Sequence, residues 1–176
     1  MIIFDTETTG LLKPEIANLD AQPHIIEVAM VRLDEVNYEE VERFETLLDP
    51  GVPIDEELHK KITGLTNADL AGKPTFFEVY RQLADFCLGE WSIVAHNYPF
   101  DRGMLEVELR RINAVCAFPW PPNGICTVER TMHIKSRRMR LSELYELKLG
   151  KPLAQTHRAM GDALALAEVV REMRLK

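Results

Sequence analysis

Cysteine is scarce in this chain, with only Cys87, Cys116 and Cys126 among 176 residues. An odd number with no C-x-x-C pair excludes a disulfide framework and a cysteine-based zinc site. Basic charge is short as well: 21 Lys and Arg stand against 28 Asp and Glu, for a formal net charge of −7. That deficit argues against a surface gripping a long tract of nucleic acid, because such binding depends on neutralising phosphates with Lys and Arg. No apolar run approaches the length needed to cross a bilayer, so no membrane association is expected. Internal repeats and low-complexity segments are missing too. Strand-like sequence begins at residue two and is read as leaving no room for a signal peptide, which makes a reducing cytoplasm the expected compartment.

What remains is ordinary for a folded protein, with 46% hydrophobic and 28% charged residues. The length suits a single domain spanning 1–176 with a full hydrophobic core. Ile2-Ile3-Phe4 reads as the start of a buried strand, followed by Asp5 and Glu7 and a polar turn closing at Gly10. Residues at i and i+2 of a strand point to the same face. Two carboxylates so placed repel each other, and a cation between them would relieve the repulsion; for hard oxygen ligands that cation is Mg²⁺ or Mn²⁺. The alternative is a plain polar turn with solvated acids.

Further along, Leu11 to His24 is a connection broken by Pro14 and Pro23. The runs 25–33 and 39–48 read as strands joined in an antiparallel hairpin. Glu27 interrupts the first of these, and a hydrogen-bonded structural acid is favoured there over a ligand. Residues 54–71 read as short helical turns. From Pro74 a helix is predicted to bury Phe77, Tyr80, Leu83, Ala84 and Cys87, stopping at Gly89. Residues 91–95 form a short apolar strand reached through that helix, hence parallel to its neighbour. The next helix starts near Pro99 and runs through Met104, Leu105, Leu109 and Ile112, with Asp101 in or beside its first turn. That places Asp101 at the carboxyl end of a strand, where functional groups of open α/β sheets gather.

A proline-rich loop, 114–124, carries Trp120, read as covering the core edge, with stacking on a base as the alternative. Residues 125–132 form a last short strand passing into a helical turn. Arg130, Lys135, Arg137, Arg138 and Arg140 make the basic cluster of an acidic chain, either a phosphate contact or a solvated face. Helices are expected over 141–149 and about 158–174, the latter with Ala159, Ala163 and Ala167 on a stripe that permits close approach to the sheet. His157 and Asp162 are five positions apart, about 140° on a regular helix. They can share a site only if His157 precedes the helix, on a loop capped near Thr156; a capping or surface histidine is the alternative.

Asp5, Glu7, Asp101, His157 and Asp162 thus all fall at element ends that an α/β arrangement brings to one edge. Four carboxylates and an imidazole match a site for two metal ions that clamp a phosphodiester and the attacking water. Phe4-Asp5-Thr6-Glu7-Thr8-Thr9-Gly10, then His96-Asn97-Tyr98-Pro99-Phe100-Asp101, then His157 to Ala163 resemble the three motifs of the DEDD 3′-to-5′ exonucleases, in the DEDDh subclass whose third motif begins with histidine. Proofreading exonuclease subunits of bacterial replicative DNA polymerases belong to it, as do ribonuclease T and oligoribonuclease. The segment 59–66 resembles one found in the proofreading-type members, so the likeness extends over essentially the whole chain.

The resemblance implies an RNase H-like fold: a mixed five-stranded sheet with helices on both faces and the second strand antiparallel to the others. It implies two Mg²⁺ or Mn²⁺ ions on Asp5, Glu7, Asp101 and Asp162, with His157 as general base on the water. The reaction implied is hydrolysis at the 3′ end of a nucleic acid, releasing nucleoside 5′-monophosphates. Thr8, Thr9, Gly10 and Leu11 correspond to the family's pocket for the terminal nucleoside, with His96 and Asn97 beside it. Tyr98-Pro99 replaces a small residue common in the family and implies a differently shaped entry. DNA is favoured over RNA as substrate, single-stranded or frayed, with a DNA polymerase as a partner. An RNA-trimming enzyme and a catalytically silent nucleic-acid-binding module are the competing readings, and the oligomeric state is left open.

Overall fold

A computed structural model of the chain describes residues 1–154 and 157–175. Five strands, β1 (Ile2–Thr8), β2 (Ile25–Leu33), β3 (Glu40–Leu47), β4 (Ser92–Ala95) and β5 (Asn123–Cys126), form one sheet in the order β3-β2-β1-β4-β5. β2 runs antiparallel to both β1 and β3, whereas β1, β4 and β5 are parallel. The second strand is therefore the one of opposite direction, as the resemblance implies. The helices are α1 (Glu56–Ile62), α2 (Asn67–Leu70), α3 (Phe76–Cys87), α4 (Tyr98–Arg111), α5 (Thr127–Lys135), α6 (Leu141–Leu149) and α7 (Ala159–Met173).

Strand alternation divides the core between the two faces of the sheet. Ile2 and Phe4 of β1 pack with Leu83 of α3 and Met104, Leu105 and Leu109 of α4. Met1 and Ile3 pack on the other side with Leu144 of α6 and Ala163 and Leu166 of α7. Ala159, Ala163 and Ala167 are all buried, and α7 lies directly against β1 and β2. Their small side chains let that helix axis approach the sheet closely. β3 is the solvent-facing edge, and its Glu40, Glu42, Arg43 and Glu45 keep it charged, which discourages pairing with another strand. Among the described residues no helix is long and apolar enough to cross a membrane.

Several expectations need correction. α3 buries Phe76, Val79, Leu83, Phe86 and Cys87, while Phe77 is 70% exposed. Two adjacent phenylalanines offer two helical stripes about 100° apart, and the sheet accepted the one beginning at Phe76. The helix starts after a capping box between Thr75 and Glu78, two residues later than Pro74 suggests. Trp91 stands outside β4 and is exposed. β5 begins earlier than expected, at Asn123, and the turn after it is a nine-residue helix. Trp120 covers the core edge as expected, edge-on to Phe118 at 4.8 Å with the Arg102 guanidinium 5.0 Å from its ring.

Gly124 explains why a tyrosine is tolerated before Pro99. Tyr98 is buried and turned onto β5, so close that a Cβ at Gly124 would lie 2.1 Å from its ring. The bulky side chain is thereby taken away from the sheet edge where Asp101 lies. Gly124→Ala should cost about 1–3 kcal/mol through overpacking, read as a lower denaturant midpoint; a wild-type midpoint would show that the contact relaxes freely.

Candidate active site

β1 carries Asp5 and Glu7 on the face whose Met1 and Ile3 pack against α6 and α7. α7 presents Asp162 in its first turn. One carboxylate oxygen from each of Asp5, Glu7 and Asp162 lies within 4.8 Å of the others. Asp5 and Glu7 are half-buried and Asp162 is buried. Residues from opposite ends of the chain thus form a compact set of hard oxygen donors.

Asp101 arrives from the other face of the sheet, in the first turn of α4. Thr6, between the two acids of β1, points toward it and holds it: the Thr6 amide donates to Asp101 Oδ1 at 3.2 Å and its hydroxyl donates at 2.8 Å. Asp101 is not in the 4.8 Å group, yet its charge is the strongest of the repulsions acting on Asp5. Burial, then repulsion from Asp101, Glu7 and Asp162, pushes the Asp5 carboxyl well above the usual carboxylate range. Burial and the charges of Asp162, Glu27 and Asp101 raise Glu7 to about 8. Asp101 is raised to about 7 by burial, against the pull of its Thr6 hydrogen bonds. Acids in this condition hold protons unless cations replace them. The donor set therefore fits divalent cations of the Mg²⁺ type.

Glu27 lies directly across the β1–β2 ladder from Glu7 and is fully buried. Its carboxylate accepts from Arg158 Nη2 at 2.7 Å and Nε at 3.0 Å, and from the Ala159 amide at 3.1 Å. It is the structural acid expected from the sequence. Its role could not be seen there: it fastens the start of α7 to the middle of the sheet. Arg158 also lowers the Glu7 carboxyl, opposing the other acids. His157 stands immediately before this anchor, exposed and in the left-handed region at φ 47°. It precedes α7, the condition for sharing a site with Asp162. Thr156, expected as the cap, lies outside the described residues; Arg158 occupies the N-cap position.

The 8–24 segment is tied down from several directions. Thr8 Oγ1 donates to the Gly10 carbonyl at 2.8 Å, and the Thr9 hydroxyl accepts the His24 amide at 2.9 Å. Arg111 donates to the carbonyls of Leu19, Gln22 and Pro23, and Leu12 packs where Gly103 leaves α4 bare. Leu11 is left 78% exposed at the lip of a groove of about 420 Å³ lined also by Thr9, Gly10, His24, Val52 and Ile54.

His96 and Asn97, at the end of β4, are already engaged. The Met139 carbonyl, 3.0 Å from His96 Nε2, can only accept, so Nε2 carries the proton. Nδ1 then accepts from the Thr127 hydroxyl at 2.9 Å. Burial, and secondarily the Arg138 charge, holds the imidazole below its ordinary range and hence neutral. His96 braces β4 against the 136–140 loop. Asn97 Oδ1 accepts from Arg138 at 2.6 Å. Thr6 and Arg158 are the residues that sequence reasoning passed over, although each lies next to, or between, residues already singled out; Arg138 was marked only as one of a basic cluster, and its contact with Asn97 was not foreseen.

A mixed sheet with this strand order and carboxylates gathered at one edge is the architecture of an RNase H-like nuclease. The chain belongs to the exonuclease family, whose profile matches residues 2–170. It is 30% identical over 172 residues to the DNA polymerase III PolC-type of Bacillus subtilis (strain 168), covering 98% of this chain but 11% of that protein. It is also 30% identical over 176 residues to the DNA polymerase III subunit epsilon of Pasteurella multocida (strain Pm70), covering 96% of this chain and 65% of that one. The chain thus spans about a ninth of the length of the PolC-type relatives. Among solved structures it resembles the nuclease domain of 3'hExo, a DEDDh family member, bound to rAMP. That likeness has a TM-score of 0.75 at 18% identity and covers 98% of this chain and 90% of that one. Exonuclease X in complex with 5' overhanging duplex DNA has a TM-score of 0.67 at 24% identity, covering 98% and 89%.

Because Glu7 titrates near 4.5 when unfolded and about 8 here, its contribution to stability is complete below about pH 4.5 and is lost as pH rises through 8. In EDTA the thermal midpoint should fall over that window, and Mg²⁺ should restore it at the alkaline end. A midpoint indifferent to both pH and Mg²⁺ would contradict this electrostatic account. Glu27→Ala should cost about 3 kcal/mol, the lower end for a broken buried pair because Arg158 keeps some access to water; urea titration measures it.

Proposed function

We propose that this chain hydrolyses the terminal phosphodiester bond at the 3′ end of a nucleic acid and releases nucleoside 5′-monophosphates. The observation that carries this reading is the convergence of Asp5, Glu7 and Asp162 within 4.8 Å, with Asp101 held beside them on Thr6. These four acids would hold two divalent ions, Mg²⁺ or Mn²⁺. Such ions supply a water of lowered pKa and offset charge on the reacting phosphate. The residues of the chain do the rest. His157, exposed ahead of α7, takes the proton of the attacking water. Water oxygen joins phosphorus, the bond from phosphorus to the upstream O3′ breaks, and that oxygen takes a proton from solvent to become the new 3′-hydroxyl, while the exposed His157 releases its own to solvent. The main chain at Thr8, Thr9 and Gly10, with the exposed Leu11 and the polar Asn97, would receive the terminal nucleoside. His96 acts there through its bracing of β4.

DNA is the favoured substrate, supported by relatives that are DNA polymerase III proteins, and a polymerase is the corresponding partner. The chain would act as a single exonuclease domain. RNA is a second reading, favoured by structural neighbours solved with rAMP or with a histone mRNA stem-loop. A panel of 5′-labelled DNA and RNA, single- and double-stranded, decides between them; faster shortening of RNA would overturn the DNA preference.

Asp5→Ala and Asp162→Ala should each abolish shortening in Mg²⁺ or Mn²⁺, and excess EDTA should do the same to the wild type. Near-normal rates in either variant would mean that the wrong residues have been chosen. His157→Ala should lower kcat by roughly 100- to 10,000-fold while Mg²⁺ still raises the thermal midpoint. An unaltered dependence of rate on pH in that variant would remove His157 as the base.

A further inference from the structure

The end of α5 and the loop that follows it carry the densest run of positive charge in the chain, Lys135, Arg137, Arg138 and Arg140. These cations are not equivalent. Arg137 directs both its terminal nitrogens to Glu143, with Nη1 also donating to the Arg138 carbonyl at 3.1 Å, and Lys135 lies 3.9 Å from the same carboxylate. Arg138 is exposed and, among the described residues, forms no ion pair; its partner is the neutral oxygen of Asn97. A guanidinium has five N–H donors, and this hydrogen bond uses one of them.

The loop holds Arg138 firmly. Met139, the next residue, is buried, and its carbonyl accepts the His96 proton. Asn97 is the N-cap residue of α4, whose first turn carries Asp101. Arg138 thus sits on the cap residue of α4, at the same end of that helix as Asp101. So Arg138 is a cation held at the edge of the sheet that bears the acids, with no ion pair among the described residues. Arg158, at the opposite side of that edge, is consumed by Glu27. In a chain of net charge −7, an anion arriving at this edge meets the Arg138 guanidinium held in place.

We propose that Arg138 binds an internal phosphate of the substrate strand, upstream of the bond that is cut, with Asn97 and Met139 as its positioning residues. The inference rests on the nucleic-acid 3′ end being the substrate. A guanidinium fork matches two phosphate oxygens. The four acids and the ions they would hold take the reacting phosphate, which leaves a neighbouring phosphate to Arg138. The contact would supply grip that an acidic surface otherwise lacks, and it carries no base sequence information.

The test compares the wild-type chain, Arg138→Gln, Arg138→Lys and, as a control at a cation paired with Glu168, Lys151→Gln. Substrates are a fluorescein-labelled oligothymidylate and a thymidine dinucleotide, which has no upstream phosphate. Steady-state rates are taken in Mg²⁺, and binding by fluorescence anisotropy in Ca²⁺. Arg138→Gln should raise KM and weaken oligomer binding roughly tenfold, the loss of one charge-assisted contact, with kcat within about twofold and dinucleotide hydrolysis unchanged. The slope of log binding constant against log salt should shrink by about 0.7, one single-strand phosphate. Arg138→Lys should restore the slope and part of the affinity, and Lys151→Gln should change neither. Equal losses on dinucleotide and oligomer, or an unchanged slope, overturn the proposal. If the wild type binds the oligomer through Arg138 but does not cleave it, the proposal stands and the hydrolytic reading fails.

Discussion

Repulsion among carboxylates at the end of β1 is the constraint around which the rest of this structure is arranged. Asp5, Glu7 and Asp162 share a space in which they cannot all be ionised without a countercharge, and Asp101 adds a fourth acid beside them. A fold would not assemble such a group by its own preference, since every member is raised or crowded by the others. The surrounding elements hold it together at the expense of local stability, a common condition of sites that await a ligand. Divalent cations convert the same repulsion into affinity.

Two devices carry the strain. On one face, Thr6 fixes Asp101 through its amide and hydroxyl, so α4 cannot withdraw its acid from β1. On the other, Glu27 accepts Arg158 and the Ala159 amide and keeps the start of α7 in place despite the acids it brings in. Glu27 adds its own charge to the neighbourhood, and Arg158 returns the opposite one. The alanine stripe of α7 complements this pair, since only small residues let the helix sit near enough to the sheet for Asp162 to meet Asp5 and Glu7. His157 inherits its position from the same anchor.

Positive charge is rationed with corresponding care. Arg111 organises the 19–24 backbone, Arg158 neutralises a buried acid, and Arg137 is paired on the surface. Arg138, by contrast, meets the neutral oxygen of Asn97 and has no ion pair among the described residues.

By itself, the sequence determined the order and kind of nearly every element, the antiparallel hairpin of β2 and β3, the two faces of β1 and the candidate set of acids and histidine. These are local matters: period-two and period-3.6 patterns, proline and glycine punctuation, and short motifs whose spacing survives any packing. Only the tertiary structure decided which of Phe76 and Phe77 entered the core, that Tyr98 turns onto Gly124 and away from the acids, and that His96 has both ring nitrogens engaged. It alone joined Glu27 to Arg158, 131 positions apart, and Thr6 to Asp101, 95 apart. Such pairs depend on where two distant backbones come to rest, and no local pattern of side chains records that.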